Sequence, residues 1–223
     1  MNLDSHHHYD RRSPLAQQFS DAQYRLVAGQ QQPWTLSTSA DYAALFDLTL
    51  MPRFGVRGAG AAAYLQSRDI DVPSMVNTAS VSPDARWVAR LGKTEYWVFY
   101  AALCDAYPPH MLGLDSIAEG CYPVPCDQAR AWFVIDHAQR AAAMAKLCAV
   151  DLRDDAFPSG HVAQTSVARV NATVISHTIA ERAVFSIFSD VASAQYLWGA
   201  LEDALDEYGA GAGALGTLLG APR

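Results

Sequence analysis

The sequence predicts an α+β fold built from two similar strand–helix–strand–strand units, duplicated ferredoxin-like halves with antiparallel sheets. Three observations support this prediction. Apolar residues make up 51% of the 223 residues and charged residues 17%, which suits a chain with a buried core. Strand-like segments rich in Val, Trp, Tyr and Phe alternate with alanine-rich helical ones. Both kinds of segment then recur in the second half of the chain.

The first unit is predicted as a strand, a helix and a hairpin. The helix is alanine-rich, and Gly92-Lys93-Thr94 separates the two hairpin strands. The predicted elements are a short helix or turn at 41–48, a strand at 53–57, a helix at 61–67, strands at 86–91 and 95–100, and a loop at 107–125.

The second unit repeats this pattern and ends in an amphipathic helix. Trp198, Leu201 and Leu205 share one face of that helix, acidic residues cover the rest, and Gly209 follows as a stop signal. The predicted elements are a strand at 131–136, a helix at 138–147, one or two strands within 162–175, a strand at 183–188 and the helix at 190–208.

An offset of 79 residues aligns the two units. The matched segments are Phe54-x-Val56 with Phe133-x-Ile135, the helix 61–65 with 140–144, and Val88-Ala89-Arg90-Leu91 with Val167-Ala168-Arg169-Val170. Two such units place their helices on one face of antiparallel sheets.

Four segments are predicted along the chain: an N-terminal arm at 1–39, a first α+β unit with a Pro/Gly-rich linker at 40–128, a second α+β unit at 129–208, and a Gly/Ala-rich tail at 209–223. Within the arm, Leu15 and Phe19 lie four residues apart on a helical turn that begins at Pro14. This turn either folds back on its own domain or docks on another chain. We predict Pro14, Leu15 and Phe19 as partner-interface residues.

Charge and hydropathy argue against several classes of protein. A net charge of −7 without a Lys/Arg cluster argues against nucleic-acid binding. No run approaches the roughly 18 apolar residues of a membrane helix. Asp4, Asp10, Arg11 and Arg12 stand where a secretory signal needs an apolar segment. We therefore expect a cytoplasmic protein with reduced cysteines.

Two glycine-rich segments resemble phosphate-binding turns. Gly58-Ala59-Gly60-Ala61-Ala62-Ala63 follows a strand and matches G-x-G-x-x-[GA], although we favour a plain strand-to-helix turn. No strand ending in an acid follows about 20 residues later. Gly211-Ala212-Gly213-Ala214-Leu215-Gly216 also matches, but it follows an acidic helix and is interpreted as part of the tail.

Other candidates lack the partners that their chemistry requires. Cys121 and Cys126 could supply two zinc ligands or be two loop thiols, and His6-His7-His8 could bind a metal adventitiously. His161 could be a general base, but no partner acid can be assigned to it. The sequence contains neither G-x-S-x-G nor H-E-x-x-H. We predict no catalytic, cofactor-binding or metal-binding residue on this chain.

Seven short segments, in order, carry a family resemblance over about residues 13–208. They are 45–49 (LFDLT), 52–58 (PRFGVRG), 89–96 (ARLGKTEY), 131–133 (AWF), 145–153 (AKLCAVDLR), 163–172 (AQTSVARVNA) and 193–198 (SAQYLW). Together they resemble the γ subunit of heterotetrameric sarcosine oxidase, a family related to the folate-binding aminomethyltransferases of glycine cleavage.

The resemblance implies an oxidoreductase complex that acts on CH–NH groups. Such a complex oxidises sarcosine to glycine, passes the methyl carbon to tetrahydrofolate or releases it as formaldehyde, and reduces oxygen to peroxide. The α and β subunits are expected to carry FAD, FMN, NAD and folate, and the δ subunit zinc. The resemblance thus implies α, β and δ partners, and a non-catalytic chain without a cofactor.

Three alternatives remain open. A free-standing folate-dependent C1-transfer protein is one, although Tyr100-Ala101-Ala102 stands where those enzymes have an Asn-Ala segment. A nucleotide-binding module that uses Gly58 and Gly60 is another. N-methylglutamate dehydrogenases use a similar subunit, so the amine substrate also stays open.

Overall fold

The computed structural model describes residues 11–37, 42–83, 85–100 and 118–220, which form four layers. A six-stranded sheet packs face to face on a five-stranded sheet, and helices cover the outer face of each. Both sheets are antiparallel apart from one parallel pair at an edge. This arrangement confirms the predicted α+β class. None of the helices in the described ranges combines the length and the apolar composition that a membrane-spanning helix requires.

The strands are β1 (Ala22–Val27), β2 (Gln30–Leu36), β3 (Tyr42–Asp47), β4 (Arg53–Arg57), β5 (Thr78–Val81), β6 (Arg86–Arg90), β7 (Glu95–Tyr100), β8 (Tyr122–Val124), β9 (Arg130–Ile135), β10 (Val162–Val167), β11 (Val170–Ile179), β12 (Arg182–Asp190) and β13 (Ala210–Gly213). The helices are α1 (Ala61–Gln66), α2 (Cys126–Ala129), α3 (Arg140–Ala145), α4 (Ala194–Asp206) and α5 (Leu215–Leu218). A single 3₁₀ turn at Val191–Ser193 leads into α4.

The two large sheets have the same strand connectivity around one helix each. The order is β5-β6-β7-β4-β8 in the smaller sheet and β10-β11-β12-β9-β3-β13 in the larger. In the smaller sheet β4 precedes α1 and lies beside β7, the last of the three strands that follow α1. In the larger sheet β9 precedes α3 and lies beside β12, the last of the three strands that follow α3. Three strands therefore follow each of these helices, where the predicted strand–helix–strand–strand pattern has two. That the units are duplicated ferredoxin-like halves stays a prediction.

The predicted residue match within the hairpins is wrong. Val88, Ala89 and Arg90 lie in β6, whereas Val167 ends β10. Ala168 and Arg169 form the two-residue turn to β11, with φ of 49° and 66°. The offset of 79 therefore aligned a strand with a turn. The physical reason is that β11 has 10 residues and β6 only 5, so one offset cannot fit both hairpins.

A second difference from the prediction is β3, which lies in a segment predicted as a short helix or turn. Strands that are buried on both faces explain it. In β9, Phe133 and Ile135 face the helices while Trp132 and Val134 face the other sheet. Such strands show a continuous apolar run rather than an alternating pattern. For the same reason residues 41–48 gave no strand signal, yet they contain β3, paired on both sides by β9 and β13.

Both ends of the described chain belong to the fold. Residues 22–36, expected as part of an arm, form the β1–β2 hairpin. Residues 210–218, expected as part of a tail, form β13 and α5, of which α5 packs against β2. The tail thus supplies the edge strand of the six-stranded sheet and a helix that packs against the hairpin of the arm.

Candidate functional site

The G-x-G turn after β4 is filled by the chain's own backbone. Gly58 has a φ of +120°, and a Cβ atom there would lie 2.1 Å from the carbonyl oxygen of Gly120. The N–H of Gly60 donates to that same oxygen at 3.1 Å, so residues 119–120 cover the start of α1. These glycines allow two backbone segments to approach closely, as in the plain-turn alternative.

The second glycine-rich segment serves packing. A Cβ atom at Gly213 would lie 2.4 Å from Phe46 Cε1, and one at Gly216 would lie 2.5 Å from the carbonyl oxygen of Trp34. Gly213 therefore lets β13 pair closely beside β3, and Gly216 lets α5 approach β2. Neither glycine leaves room for a phosphate.

The candidate metal ligands do not converge in the part of the chain that the structure describes. Cys121 and Cys126 are buried free thiols, and burial raises the pKa of Cys126 to about 12. No group of three or more His, Cys, Asp or Glu side chains comes together there. His161 is exposed, and its ring packs against Phe157. His6, His7, His8, Cys104 and residues 101–117 lie outside the described residues.

A buried histidine that the sequence analysis missed lies between the two sheets. Trp132 Nε1–H donates to Ser186 Oγ at 2.7 Å, and Ser186 lies 2.6 Å from His177 Nε2. His177 Nδ1 lies 3.2 Å from the carbonyl oxygen of Thr178. These contacts fit a neutral imidazole that donates from Nδ1 and accepts from the serine hydroxyl at Nε2. Burial lowers the pKa of His177 to about 4, which keeps the ring neutral.

Aromatic rings close the space around this imidazole. Trp87 and Phe99 contact His177 edge to face, with ring centroids 5.1 and 5.5 Å apart. Phe188 stacks on Trp132 at 5.2 Å. Every polar atom of the histidine ring is thus paired and surrounded, so the group stabilises the core and has no access to a substrate.

Arg53 fastens the start of β4 to α2. Its guanidinium donates to the carbonyl oxygens of Thr49 and Met51 at 2.9 and 3.0 Å, and its Nε–H to that of Cys126 at 3.1 Å. It also donates to the carbonyl oxygen of Arg130. Burial lowers the pKa of Arg53 to about 10. These bonds occupy the arginine fully, which makes it a structural residue rather than an anion-binding one.

Asp47 fastens the N-terminal turn to the end of β3. Its carboxylate accepts hydrogen bonds from the Ser13 hydroxyl and from the Thr49 N–H at 2.9 Å. Burial raises the pKa of Asp47, and the hydrogen bonds from Ser13 and Thr49 oppose that rise. The Pro14 carbonyl oxygen accepts from Gln195 Nε2 of α4 at 3.1 Å.

The predicted interface residues lie on this turn, and two of them face inward. Leu15 and Phe19 are 0% and 2% exposed, and both belong to the core beneath α4. The Phe19 ring packs edge to face on Trp198, with centroids 5.6 Å apart. Of the two possibilities that the sequence left open, the turn folds back on its own domain. Leu15 and Phe19 are therefore packed within this chain, and a role of Pro14, Leu15 and Phe19 in a partner interface stays a prediction.

This folded-back turn forms one wall of a surface cavity, which we call the arm groove. The groove has a volume of about 430 Å³ and lies between the turn and the β1–β2 hairpin. Its lining includes Arg11, Arg12, Phe19, Tyr24, Pro33 and Leu50. Volumes of roughly 300–1,000 Å³ with mostly apolar walls and a few polar groups are typical of binding sites. The sequence did offer a hairpin signal here, because Tyr24 and Leu26 alternate with polar residues before Ala28-Gly29.

A second cleft of about 360 Å³ opens between the edges of the two large sheets. Its lining combines the aromatic rings of Trp97 and Phe188 with polar groups of Glu95, Gln164 and Asn171. The Trp97 Nε1–H donates to Glu95 at 3.2 Å, which holds the indole at the mouth of the cleft.

Comparison with solved structures identifies the fold. The chain superposes on heterotetrameric sarcosine oxidase from Corynebacterium sp. U-96, in complex with pyrrole 2-carboxylate, with a TM-score of 0.65 and 17% identity over 89% of this chain and 96% of that chain. It superposes on the glycine cleavage system aminomethyltransferase T from Bartonella henselae with a TM-score of 0.67 and 15% identity over 92% of this chain. There it spans only 58% of the matched chain. No family model and no curated protein matches the sequence.

Proposed function

We propose that this chain is a non-catalytic γ-type subunit of a flavin-dependent sarcosine oxidase-like complex. The complex demethylates sarcosine oxidatively to glycine and transfers the methyl carbon to tetrahydrofolate or releases it as formaldehyde. In this proposal the α and β subunits hold FAD, FMN, NAD and folate, and the δ subunit holds zinc. This chain contributes surface and scaffold to the assembly.

The share of each matched chain that the common fold covers is the observation that carries the proposal. The shared fold takes in 96% of the matched sarcosine oxidase chain but only 58% of the matched aminomethyltransferase. The ordered series of segments that resembles the γ subunit points to the same family. The buried polar groups support a scaffold role, because His177, Arg53 and Asp47 each form hydrogen bonds to other residues of this chain.

Co-expression with the neighbouring reading frames tests this proposal. A tagged copy of the chain should recover flavin-containing subunits in fixed stoichiometry, and the purified assembly should consume oxygen when sarcosine is added. The isolated chain is the control and should be colourless and inactive. Sarcosine oxidation or a flavin spectrum from the isolated chain would refute the non-catalytic role. Replacing sarcosine with N-methylglutamate in the same assay identifies the amine.

A free-standing folate-dependent C1-transfer protein is the second candidate. The cleft between the sheets favours it, because its lining combines the rings of Trp97 and Phe188, 5% and 1% exposed, with the polar groups of Glu95 and Asn171. A ligand present at 100 times its Kd stabilises a protein by about 2.7 kcal/mol. Tetrahydrofolate should therefore raise the Tm of the isolated chain if this candidate holds, and Trp97→Ala should abolish the rise. Under the subunit proposal the Tm stays unchanged.

A further inference from the structure

The arm groove continues onto an exposed apolar surface of the hairpin. Tyr24 lines the groove and pairs with Pro33 across the hairpin, and Leu26 pairs with Gln31, another lining residue. Tyr24 and Leu26 are two apart on β1 and therefore share one face. Leu26 is 63% exposed and Tyr24 43% exposed, so this apolar surface is in contact with water.

The charged groups of the groove are all positive. Arg11 and Arg12 are the charged residues of its lining, while the carboxylates of Asp47 and Asp21, outside that lining, lie near enough to raise the pKa of Tyr24. Arg11 donates to the Asp127 carbonyl oxygen, and its guanidinium lies 3.5 Å from the Asp127 carboxylate. Arg12 is exposed and makes no hydrogen bond or ion pair with any residue that the structure describes. A chain of net charge −7 thus presents a local basic end beside an apolar concavity.

A second cavity continues beyond the basic end. It also has a volume of about 430 Å³, it shares Arg11 and Leu50 with the arm groove, and Asp127, the partner of Arg11, also lines it. Gln30 lines this cavity, and its Oε1 atom is buried without a hydrogen-bond partner among the described residues. A buried acceptor left unpaired costs about 1–3 kcal/mol, so the site suits an occupant with an N–H group.

We propose that the arm groove receives an extended acidic segment of a partner subunit, an inference that rests on the proposed function. An apolar side chain of that segment packs between Phe19, Tyr24 and Leu26, and a neighbouring carboxylate pairs with Arg12. Three features select this occupant. Arg12 favours an acid because Arg11 is already paired with Asp127, the exposed Leu26 extends the apolar contact beyond the cavity, and the adjoining cavity continues the path past Arg11. The turn that carries Leu15 and Phe19 is thus part of an interface as the wall of a groove and not as the anchor.

Substitutions at the groove test this proposal in the assembled complex. Leu26→Asp and Arg12→Glu should each raise the dissociation constant of the full-length chain for the remaining subunits at least tenfold. Arg12→Lys should retain most of the affinity, because the positive charge remains. Met75→Asp is the matched control, because Met75 is 65% exposed and lies outside the groove lining. This control should bind as the wild type does.

Photo-crosslinking identifies the occupant. A benzophenone amino acid in place of Leu26 should form an adduct with one flavin-containing subunit, at a peptide with an Asp or Glu within a few residues. The same group at position 75 should form no such adduct. A neutral or basic adduct peptide, or groove variants that assemble normally, would overturn the proposal while leaving the proposed function intact. Groove variants that lower the Tm of the free chain and still assemble would show that the chain fills the groove itself. Wild-type chain that binds no subunit refutes both proposals.

Discussion

Replacing Ser186 with alanine tests the hydrogen-bonded chain between the two sheets. Ser186 is 0% exposed, accepts from Trp132 Nε1–H at 2.7 Å and lies 2.6 Å from His177 Nε2. Ser186→Ala removes the hydrogen-bond partner of Trp132 Nε1 and of His177 Nε2, and no water replaces it at either atom. A buried polar group left without a partner costs about 1–3 kcal/mol. We therefore expect the free energy of unfolding to fall by roughly 2–6 kcal/mol, twice the loss for a single group.

Ser189→Ala is the matched control for this substitution. Ser189 lies on the same strand and is also 0% exposed, but among the described residues its hydroxyl makes only a long bond of 3.4 Å to the Asp190 carbonyl oxygen. Its loss should cost no more than about 1 kcal/mol. Urea unfolding of the full-length variants, followed by tryptophan fluorescence, gives both values. Equal midpoints for the two variants would contradict the assigned role of Ser186.

Three further predictions follow from the same structure. The folded-state pKa of His177 lies near 4 and its unfolded value near 6.5, so stability should fall as the pH drops from about 6.5 to 4, by up to about 3 kcal/mol. The raised pKa of Asp47 acts in the opposite direction, because the folded state then binds a proton more tightly and is favoured at low pH. His177→Gln leaves this opposite effect in place, so it should flatten or reverse the dependence of the urea midpoint on pH. Phe19→Ala should lower the free energy of unfolding by about 3–5 kcal/mol in urea melts, because the ring is buried on Trp198; an unchanged midpoint would mean that the turn is not docked. Arg169→Gly should stabilise the β10–β11 turn by about 0.5–1 kcal/mol, since Arg169 has a φ of 66°, whereas Gly29→Ala at a φ of 75° should destabilise the β1–β2 turn by a similar amount; calorimetric Tm shifts of the same sign would contradict this.

The sequence by itself determined the class of fold and several of its elements. The bounds of β4 and β7 agree with the predicted strands, and α4 lies within its predicted helix before Gly209. These elements carry strong local signals: dense aromatic and β-branched residues in the strands, and an apolar stripe with a glycine stop in the helix. Such signals depend only on near neighbours in the chain, so they can be read without the fold.

The family resemblance was also accessible from the sequence. Short segments in a fixed order pointed to sarcosine oxidase and the aminomethyltransferases, and both appear among the solved structures with this fold. At 17% and 15% identity, the order of the segments is informative because it preserves the sequence of strands and helices while most side chains differ.

Only the tertiary structure decided what the glycines, the arm and the histidines do. Gly58 and Gly60 adjoin residues 119–120, a contact that no local pattern contains. Leu15 is buried because α4, nearly 180 residues later, supplies the surface that covers it. His177 is neutral and enclosed because β9 and β12 bring Trp132 and Ser186 to it. In each case the environment that sets the residue's role comes from distant parts of the chain, and folding alone brings those parts together.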